Sequence, residues 1–191
     1  MKVIGLAGQA GCGKSAVGRK LAEIDYIVWI DLDRLSWEVY AKGTYTYNCI
    51  VSRFGRGILS ESGQIDRARL GKLVFSDKRL LGDLNALVHP ALSKELRSVI
   101  ESERKRGAKV LLVEGALLGV SKHVDYSLFD GVVWLVASLR TRAKRLRDAG
   151  RADHLGRSIS RPRQINITEV DAEGTIEQTS DLVLKAISKI A

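Results

Sequence analysis

The sequence lacks a long hydrophobic run. No segment reaches about 18 consecutive apolar residues, the length at which a helix becomes a candidate to cross a bilayer. The first residues, MKVIGLAGQAGCGKS, are typical of a short strand and a glycine-rich turn rather than of a secretory signal. We therefore expect a cytoplasmic protein with no membrane partner.

Cysteine is also scarce. The chain contains two cysteines, Cys12 and Cys49, which lie far apart and form no CxxC pair. Disulfide scaffolds and zinc sites need several cysteines at close spacing, so both classes are disfavoured. We expect two free thiols.

The composition has neither the low apolar content of a disordered chain nor the repeats of a fibrous one. Hydrophobic residues make up 45% and charged residues 28% of the 191 residues, which is ordinary for a globular protein. The length suits one domain, and we expect a monomer.

Acidic residues are outnumbered, and the formal net charge is +9. Such a balance favours an anionic partner, which could be a nucleic acid, a membrane surface or a phosphorylated small molecule. Nine of the basic residues lie between positions 140 and 163, a stretch without Phe, Trp or Tyr. Because binders of single-stranded nucleic acid stack bases on aromatic side chains, we expect no nucleic-acid partner.

Short apolar runs alternate with helical periodicity along the chain. Strands are predicted at residues 2–7, 26–30, 109–113, 132–137 and 165–170. Helices are predicted at 15–24, 139–149 and 175–190. Since neighbouring parallel strands are joined by a crossover, usually a helix, the pattern predicts an α/β fold with a doubly wound parallel sheet.

Residues 34–106 interrupt this alternation with a mainly helical pattern. Breaks are expected at the glycines and at one proline step: Gly43, Gly55, Gly57, Gly63 and His89-Pro90. We predict a single domain, 1–191, with its core in 1–33 and 107–191 and a helical substrate-binding insertion at about 34–106. The basic segment at about 147–165 is predicted to be a lid.

The segment GQAGCGKS at 8–15 fits the P-loop pattern GxxxxGK[ST] and lies between a predicted strand and a predicted helix. Backbone N–H groups and the helix N-terminus would face phosphates, Lys14 would reach the β- and γ-phosphates, and the Ser15 hydroxyl would bind Mg²⁺. The motif predicts a three-layer P-loop NTPase-type sheet with ATP and Mg²⁺ as cofactors. The predicted nucleotide-binding residues are Gly8, Ala10, Gly11, Cys12, Gly13, Lys14, Ser15 and Ala16. The alternative is a plain glycine-rich turn.

Two aspartates, Asp31 and Asp33, follow the second predicted strand, on the P-loop side of the sheet if the first two strands are neighbours. Phosphoryl transfer to an alcohol needs a carboxylate that accepts the hydroxyl proton. Two residues apart in an extended chain, both side chains would point the same way. We predict Asp33 as the base, which leaves the other carboxylate to hold a metal ion through water. The alternative is that both only cap the next helix.

With these motifs the chain resembles the dephospho-coenzyme A kinase family. The resemblance covers most of the chain and rests on the P-loop, IDLD at 30–33, FG at 54–55, GQIDR at 63–67, LGKLVF at 70–75 and NALVHP at 85–90. It implies phosphorylation of the ribose 3′-hydroxyl of dephospho-CoA, the last step of coenzyme A synthesis.

The resemblance also implies roles for single residues. Asp33 matches the catalytic acidic residue of the family. Arg67 and His89 match positions on the substrate side, where we also place Asp31. Arg145 matches an arginine near the lid that contacts phosphate. An arginine suits this task because its planar donor fork fits a diphosphate. We add Arg151 as a lid residue. The alternatives are a surface salt bridge for Arg67, a helix end for His89 and a solvated helix face for the arginines.

Four aromatic residues after the aspartates, Trp37, Tyr40, Tyr45 and Tyr47, either line an adenine or pantetheine pocket or belong to the core. The chain departs from the family pattern at 114–118, at Arg142 and in the loosely matching loop 171–175. Two other functions stay open. One is a different small-metabolite P-loop kinase, and the other is a non-catalytic nucleotide-binding switch, although the sequence contains no NKxD guanine motif.

Overall fold

The computed structural model of the protein describes residues 1–115, 118, 124–156 and 166–190. The strands are β1 (Lys2–Gly8), β2 (Ile27–Asp31), β3 (Val110–Glu114), β4 (Gly131–Val136) and β5 (Ile167–Asp171). The helices are α1 (Lys14–Leu21), α2 (Leu32–Val39), α3 (Tyr45–Phe54), α4 (Arg67–Ser76), α5 (Lys78–Lys105), α6 (Leu139–Asp148) and α7 (Ile176–Lys189). Short 3₁₀ turns lie at Arg56–Ile58, Tyr126–Leu128 and Ala152–Gly156.

The five strands form one parallel sheet in the order β2-β3-β1-β4-β5. The predicted α/β fold with a parallel sheet is therefore confirmed. Both ends of each predicted strand lie within two residues of the observed ends. All five residues of β3 are buried, and the first four, Val110 to Val113, are apolar, because a central parallel strand is covered on both faces. The fifth residue is the buried Glu114.

The first two strands are not neighbours, since β3 lies between them. In the register of the sheet, Leu6 of β1 and Asp31 of β2 both pair with Glu114 of β3. The carboxyl ends of these three strands therefore meet at one edge. This is also the edge from which the P-loop extends.

The chain divides into two compact units. The first contains the sheet and comprises Met1–Asp33 with the described residues from Ile100 onward, and the second is Arg34–Val99. In the first unit, α1 and α7 contribute Val17, Leu21, Val183 and Ile187 to a core with the strands. In the second unit the core is Ile50, Ile58, Leu70, Val74 and Val88.

The predicted break at His89-Pro90 is wrong, because α5 runs from Lys78 to Lys105 through Pro90. Proline removes one backbone donor from a helix and crowds the carbonyl one turn earlier, and both effects are local. Buried residues at four-residue spacing, Val88, Leu92, Leu96 and Ile100, continue along the same stripe on both sides of the proline. Burial of this stripe outweighs the local break signal.

Both cysteines are free thiols, as expected, with Cys12 buried and Cys49 partly buried. Among the described residues, no helix has the length and apolar character needed to span a bilayer.

Candidate active site

The P-loop connects β1 to α1 in a backbone conformation that depends on glycine. Gly11 and Gly13 have φ of +85° and +91°, in the left-handed region that L side chains rarely adopt. A Cβ at Gly11 would also lie 2.8 Å from the backbone oxygen of Arg142. Gly13 occupies the N-cap of α1 and supplies no side-chain acceptor. The first N–H groups of α1 are therefore available to an anion such as phosphate.

Lys14 folds back across the loop. Its Nζ donates to the backbone oxygens of Gly8 and Gln9, at 2.9 and 3.2 Å. Burial lowers the pKa of the Lys14 ammonium, and the nearby negative charges of Glu114 and Asp33 partly restore it. The structure thus places a partly buried cation above the loop, where a bound phosphate would need it.

Glu114 is a functional candidate that the sequence reasoning missed. It ends β3 with 6% of its surface exposed. One carboxylate oxygen accepts a hydrogen bond from the Ser15 hydroxyl at 2.6 Å, and the other accepts from Trp29 Nε1 at 3.2 Å. Burial raises the pKa of Glu114, against the opposing effect of the Ser15 hydrogen bond and the Lys14 charge. The available signal was a carboxylate directly after a fully apolar strand.

The Ser15 hydroxyl and the Glu114 carboxylate are hard oxygen donors of the kind that Mg²⁺ prefers. The described residues contain no group of three or more His, Cys, Asp or Glu side chains that could hold a metal ion by itself. This donor set fits a magnesium ion that shares its coordination with nucleotide phosphates and water. It does not fit a metal enclosed by protein ligands.

Asp31 and Asp33 do not share an extended segment, which corrects the prediction that they point alike. The strand ends at Asp31 and α2 begins at Leu32, so Asp33 lies in the first helical turn. An oxygen of Asp31 accepts a hydrogen bond from the Asp33 backbone N–H at 2.9 Å, as a helix cap does. Asp33 is exposed, and its charge acts on Lys14.

The edge of the first unit thus brings together Lys14, Ser15, Asp31, Asp33 and Glu114. These residues share hydrogen bonds or electrostatic interactions at the carboxyl ends of β1, β2 and β3. The arrangement offers an anion site, two hard-metal donors and an exposed carboxylate. That combination suits the transfer of a phosphoryl group to a hydroxyl.

Helix α6 supports the other side of the P-loop. Arg145 lies beside Gly13, and its guanidinium donates to the backbone oxygens of Ala172 and Gly174, both at 2.8 Å. Glu173, in the same loop, accepts hydrogen bonds from the Ser138 backbone N–H and the Thr141 hydroxyl. The start and middle of α6 are therefore tied to the loop that follows β5.

Arg142 is buried behind the P-loop, with 9% of its surface exposed. Its Nη1 lies 3.4 Å from the Ala10 backbone oxygen, and its Nε has no hydrogen-bond partner among the described residues. Its charge lowers the pKa of the Cys12 thiol, although burial raises that pKa more strongly. Cys12 is therefore expected to remain a protonated, unreactive thiol.

The predicted substrate-side residues Arg67 and His89 belong to the second unit. Arg67 begins α4 and stacks on Trp37, with its Cζ 3.4 Å from the ring centroid. His89 is partly buried within α5 and does not end that helix.

The four aromatic residues considered for a ligand pocket divide into two pairs. Trp37 and Tyr40 line a cavity of the second unit that Tyr45 and Tyr47 do not line. Tyr45 is exposed, and the Tyr47 hydroxyl donates to the Gly63 backbone oxygen. Sequence spacing alone could not separate these two pairs.

Part of the predicted lid lies outside the described residues, which omit 157–165. Arg151 is exposed two residues after the C-cap of α6, and its backbone N–H donates to the Leu146 oxygen at 2.8 Å.

A family model described as dephospho-CoA kinase matches residues 2–172. A dephospho-CoA kinase from Carboxydothermus hydrogenoformans is 32% identical over 197 residues, which cover 99% of this chain and 94% of that protein.

Solved structures agree in fold. A crystal structure from Thermus thermophilus has a TM-score of 0.73 and 25% identity, over 98% of this chain and 96% of the other. Shikimate kinase from Aquifex aeolicus, at 16% identity, has a TM-score of 0.50 over 97% of this chain and 96% of its own. These neighbours share the predicted α/β fold. Because the family model and the Carboxydothermus relative both match most of its length, the chain belongs to the dephospho-CoA kinase family.

Proposed function

We propose that this protein transfers the γ-phosphate of ATP to the 3′-hydroxyl of the ribose of dephospho-CoA. The products are coenzyme A and ADP, and the reaction is the last step of coenzyme A biosynthesis. The observation that carries the proposal is the cluster of Lys14, Ser15, Glu114 and Asp33 at one sheet edge, in a chain that matches the family model over residues 2–172.

In this proposal the P-loop binds the phosphates of ATP through backbone N–H groups and the start of α1. Lys14 exchanges its contacts with the Gly8 and Gln9 oxygens for contacts with the β- and γ-phosphates. Its charge then opposes the negative charge on the transferring group. Ser15 and Glu114 would hold a magnesium ion between them and the nucleotide, where the ion would neutralise phosphate charge.

Asp33 accepts the proton of the acceptor hydroxyl. Its exposed position in the first turn of α2 supports this role, because the carboxylate must be reachable by the acceptor. The role also agrees with its electrostatic interaction with Lys14, which keeps the base near the nucleotide end of the site. Asp31 fixes the start of α2 and so fixes where Asp33 lies.

Arg145 and Arg151 complete the proposed nucleotide side. Arg145 uses two N–H groups on the loop after β5 and has five donors in total, so others remain for the nucleotide phosphates. We assign Arg151 to a basic lid that excludes water during transfer, because water would otherwise compete as the acceptor. A cytoplasmic monomer is part of the same proposal.

The test is phosphoryl transfer from ATP·Mg²⁺ to a panel of acceptors: dephospho-CoA, shikimate, gluconate, AMP and CMP. A reaction without acceptor measures hydrolysis, and mass spectrometry identifies each product. The proposal predicts that dephospho-CoA gains one phosphoryl group and the others gain none. Phosphorylation of another acceptor in preference to dephospho-CoA would refute it.

A further inference from the structure

The second unit contains a cavity of about 310 Å³. This volume is at the lower end of the range for small-molecule sites, so the cavity fits one part of a ligand rather than a whole nucleotide conjugate. The residues that matter here are Arg34, Trp37, Glu38, Tyr40, Lys42 and Arg67. All belong to Arg34–Val99 and lie outside the P-loop cluster described above.

The charge of this cavity favours an anion. Three side chains are cationic (Arg34, Lys42 and Arg67) and one is anionic (Glu38), which leaves a formal balance of +2. Glu38 forms a salt bridge with Arg34 at 3.3 Å. Lys42 donates to the Ser62 backbone oxygen at 2.9 Å, which uses one of the three N–H groups of its ammonium. Positive charge therefore remains for a ligand.

Arg67 is held in one orientation by two aromatic residues. Its Cζ lies 3.4 Å from the centroid of the Trp37 ring, which places the guanidinium over the indole face. Burial raises the pKa of the Tyr40 hydroxyl, and the charge and hydrogen-bond donation of the neighbouring Arg67 side chain oppose this effect. No carboxylate in the described part of the chain forms a salt bridge with Arg67.

A guanidinium that stacks by one face keeps its N–H groups directed outward in its plane. Those groups form the planar fork that binds two oxygens of a phosphate at once. An arginine fixed before binding loses less rotational freedom when the anion arrives, so fixing it strengthens binding. The stack also covers one face of Trp37, which makes that face unavailable to a nucleobase.

We propose that Trp37 and Tyr40 are positioning residues that hold Arg67 ready to bind the diphosphate of the acceptor substrate, with Lys42 contributing further charge in the same cavity. This inference rests on the proposed function, because dephospho-CoA carries a diphosphate and acceptors such as shikimate and gluconate carry none. It explains how the second unit selects a diphosphate-bearing acceptor. The chemistry involved is recognition only, since no bond forms or breaks here.

The test compares Trp37→Leu, which removes the ring face, with Trp37→Phe, which keeps an aromatic face, and with Tyr40→Phe, which removes only the hydroxyl. Phe75→Leu is the matched control, because Phe75 is an exposed aromatic residue on another helix of the same unit and does not line the cavity. For each protein the experiment measures kcat, KM for dephospho-CoA and KM for ATP.

We expect Trp37→Leu to raise KM for dephospho-CoA about 2- to 5-fold, as loss of an exposed cation–π contact predicts. Tyr40→Phe should raise it about 3-fold through loss of one hydrogen bond. Both variants should leave KM for ATP and kcat nearly unchanged, and Trp37→Phe should recover most of the wild-type KM. Equal effects on both KM values, or no rescue by Phe, would mean that Trp37 only supports the fold and would overturn the inference.

A binding measurement separates this inference from the proposed function. Inorganic pyrophosphate is titrated by calorimetry into protein saturated with a non-hydrolysable ATP analogue, so that the P-loop is occupied. Weaker binding to Trp37→Leu than to the wild-type protein supports the diphosphate site even if dephospho-CoA is not phosphorylated. Equal binding, or none to the wild-type protein, contradicts the site even if dephospho-CoA is phosphorylated.

Discussion

Two carboxylates at the edge of the sheet lie in opposite environments. Glu114 is buried and hydrogen-bonded to Ser15 and Trp29, whereas Asp33 is exposed in the first turn of α2. Each oxygen of the buried Glu114 carboxylate accepts one hydrogen bond, which fixes its position and leaves acceptor sites for the proposed metal ion. An exposed carboxylate can meet a substrate hydroxyl. At the scale of single residues, this difference supports the proposed roles of Glu114 in metal binding and of Asp33 in proton transfer.

Replacement of Asp33 by Asn keeps the shape of the side chain and removes the base. We expect kcat to fall by about 10²- to 10⁴-fold, the usual contribution of a general base. Binding of ATP should change little, because the P-loop contacts remain. Steady-state kinetics and a nucleotide-binding titration measure the two effects.

Glu101→Gln, an exposed carboxylate on α5, is the control and should retain full activity. If Asp33→Asn turns over at nearly the wild-type rate, Asp33 is not the base. The role must then pass to Asp31 or to solvent.

Glu114 should give the metal-free protein a measurable pH dependence of stability. Burial raises its pKa in the folded state, so between about pH 4.3 and that raised value the folded state binds more protons than the unfolded state. The free energy of unfolding contributed by this group therefore falls as pH rises through that window. Glu114→Gln removes the titration, so the variant should lose less stability than the wild-type protein between about pH 4.3 and pH 8.

Urea unfolding at both pH values, with a chelator present, measures this difference. Glu101→Gln should follow the wild-type protein. A variant at Glu114 whose stability changes with pH in parallel with the wild type would show that burial does not perturb this carboxylate.

At the scale of elements, α1 packs on β2 through a contact that admits only glycine. A Cβ at Gly18 would lie 2.3 Å from Trp29 Nε1, the atom that donates to Glu114. Gly18→Ala therefore forces the indole away and should destabilise the protein by about 1–3 kcal/mol, as overpacking in a core does. The double variant Gly18→Ala, Trp29→Ala should lose less stability than the sum of the two single variants, because the two residues are in contact.

Gly82→Ala provides the matched control. Gly82 also lies in a helix, α5, but a Cβ there would meet nothing within 4 Å. This variant should be more stable than wild type by about 0.5–1 kcal/mol, because alanine restricts the unfolded chain. Urea denaturation of both variants measures the contrast, and similar changes in the free energy of unfolding would contradict the packing at Gly18.

Helices and strands with a clear hydrophobic pattern could be predicted from the sequence, whereas single side-chain contacts could not. The strands and the helices α6 and α7 followed from apolar runs and helical spacing. Pro90 misled the prediction because burial along α5 outweighs one missing backbone donor. The prediction that Asp31 and Asp33 lie in one extended segment was wrong because a helix begins directly after the strand.

The nucleotide loop could be found from sequence because its glycines and Lys14 lie close together in the chain. Glu114 had only one local signal, its place at the end of an apolar run, and its partners Ser15 and Trp29 are 99 and 85 residues away. Arg145 likewise docks on residues of a later element, Ala172 and Gly174, which are 27 and 29 residues away. Contacts of this kind depend on sheet order, which periodicity does not determine.

At the scale of the whole molecule, the net charge of +9 should steer anionic substrates towards the protein. We expect kcat/KM for dephospho-CoA to fall several-fold as ionic strength rises from about 0.05 to 0.5 M, because salt screens attraction between exposed charges. The value of kcat should change less, since bound groups are screened less. A series in sucrose controls for viscosity, and a kcat/KM that does not respond to salt would contradict steering.

The central claim concerns one hydroxyl of one acceptor, and phosphorus NMR of the reaction tests it most directly. ATP·Mg²⁺ and dephospho-CoA are mixed with the protein, and the phosphorus resonances are followed over time. The account predicts a new phosphomonoester resonance, assigned to the ribose 3′ position, that grows in equal amount with ADP. Release of ADP with inorganic phosphate alone, an ester at another hydroxyl, or no reaction would contradict it.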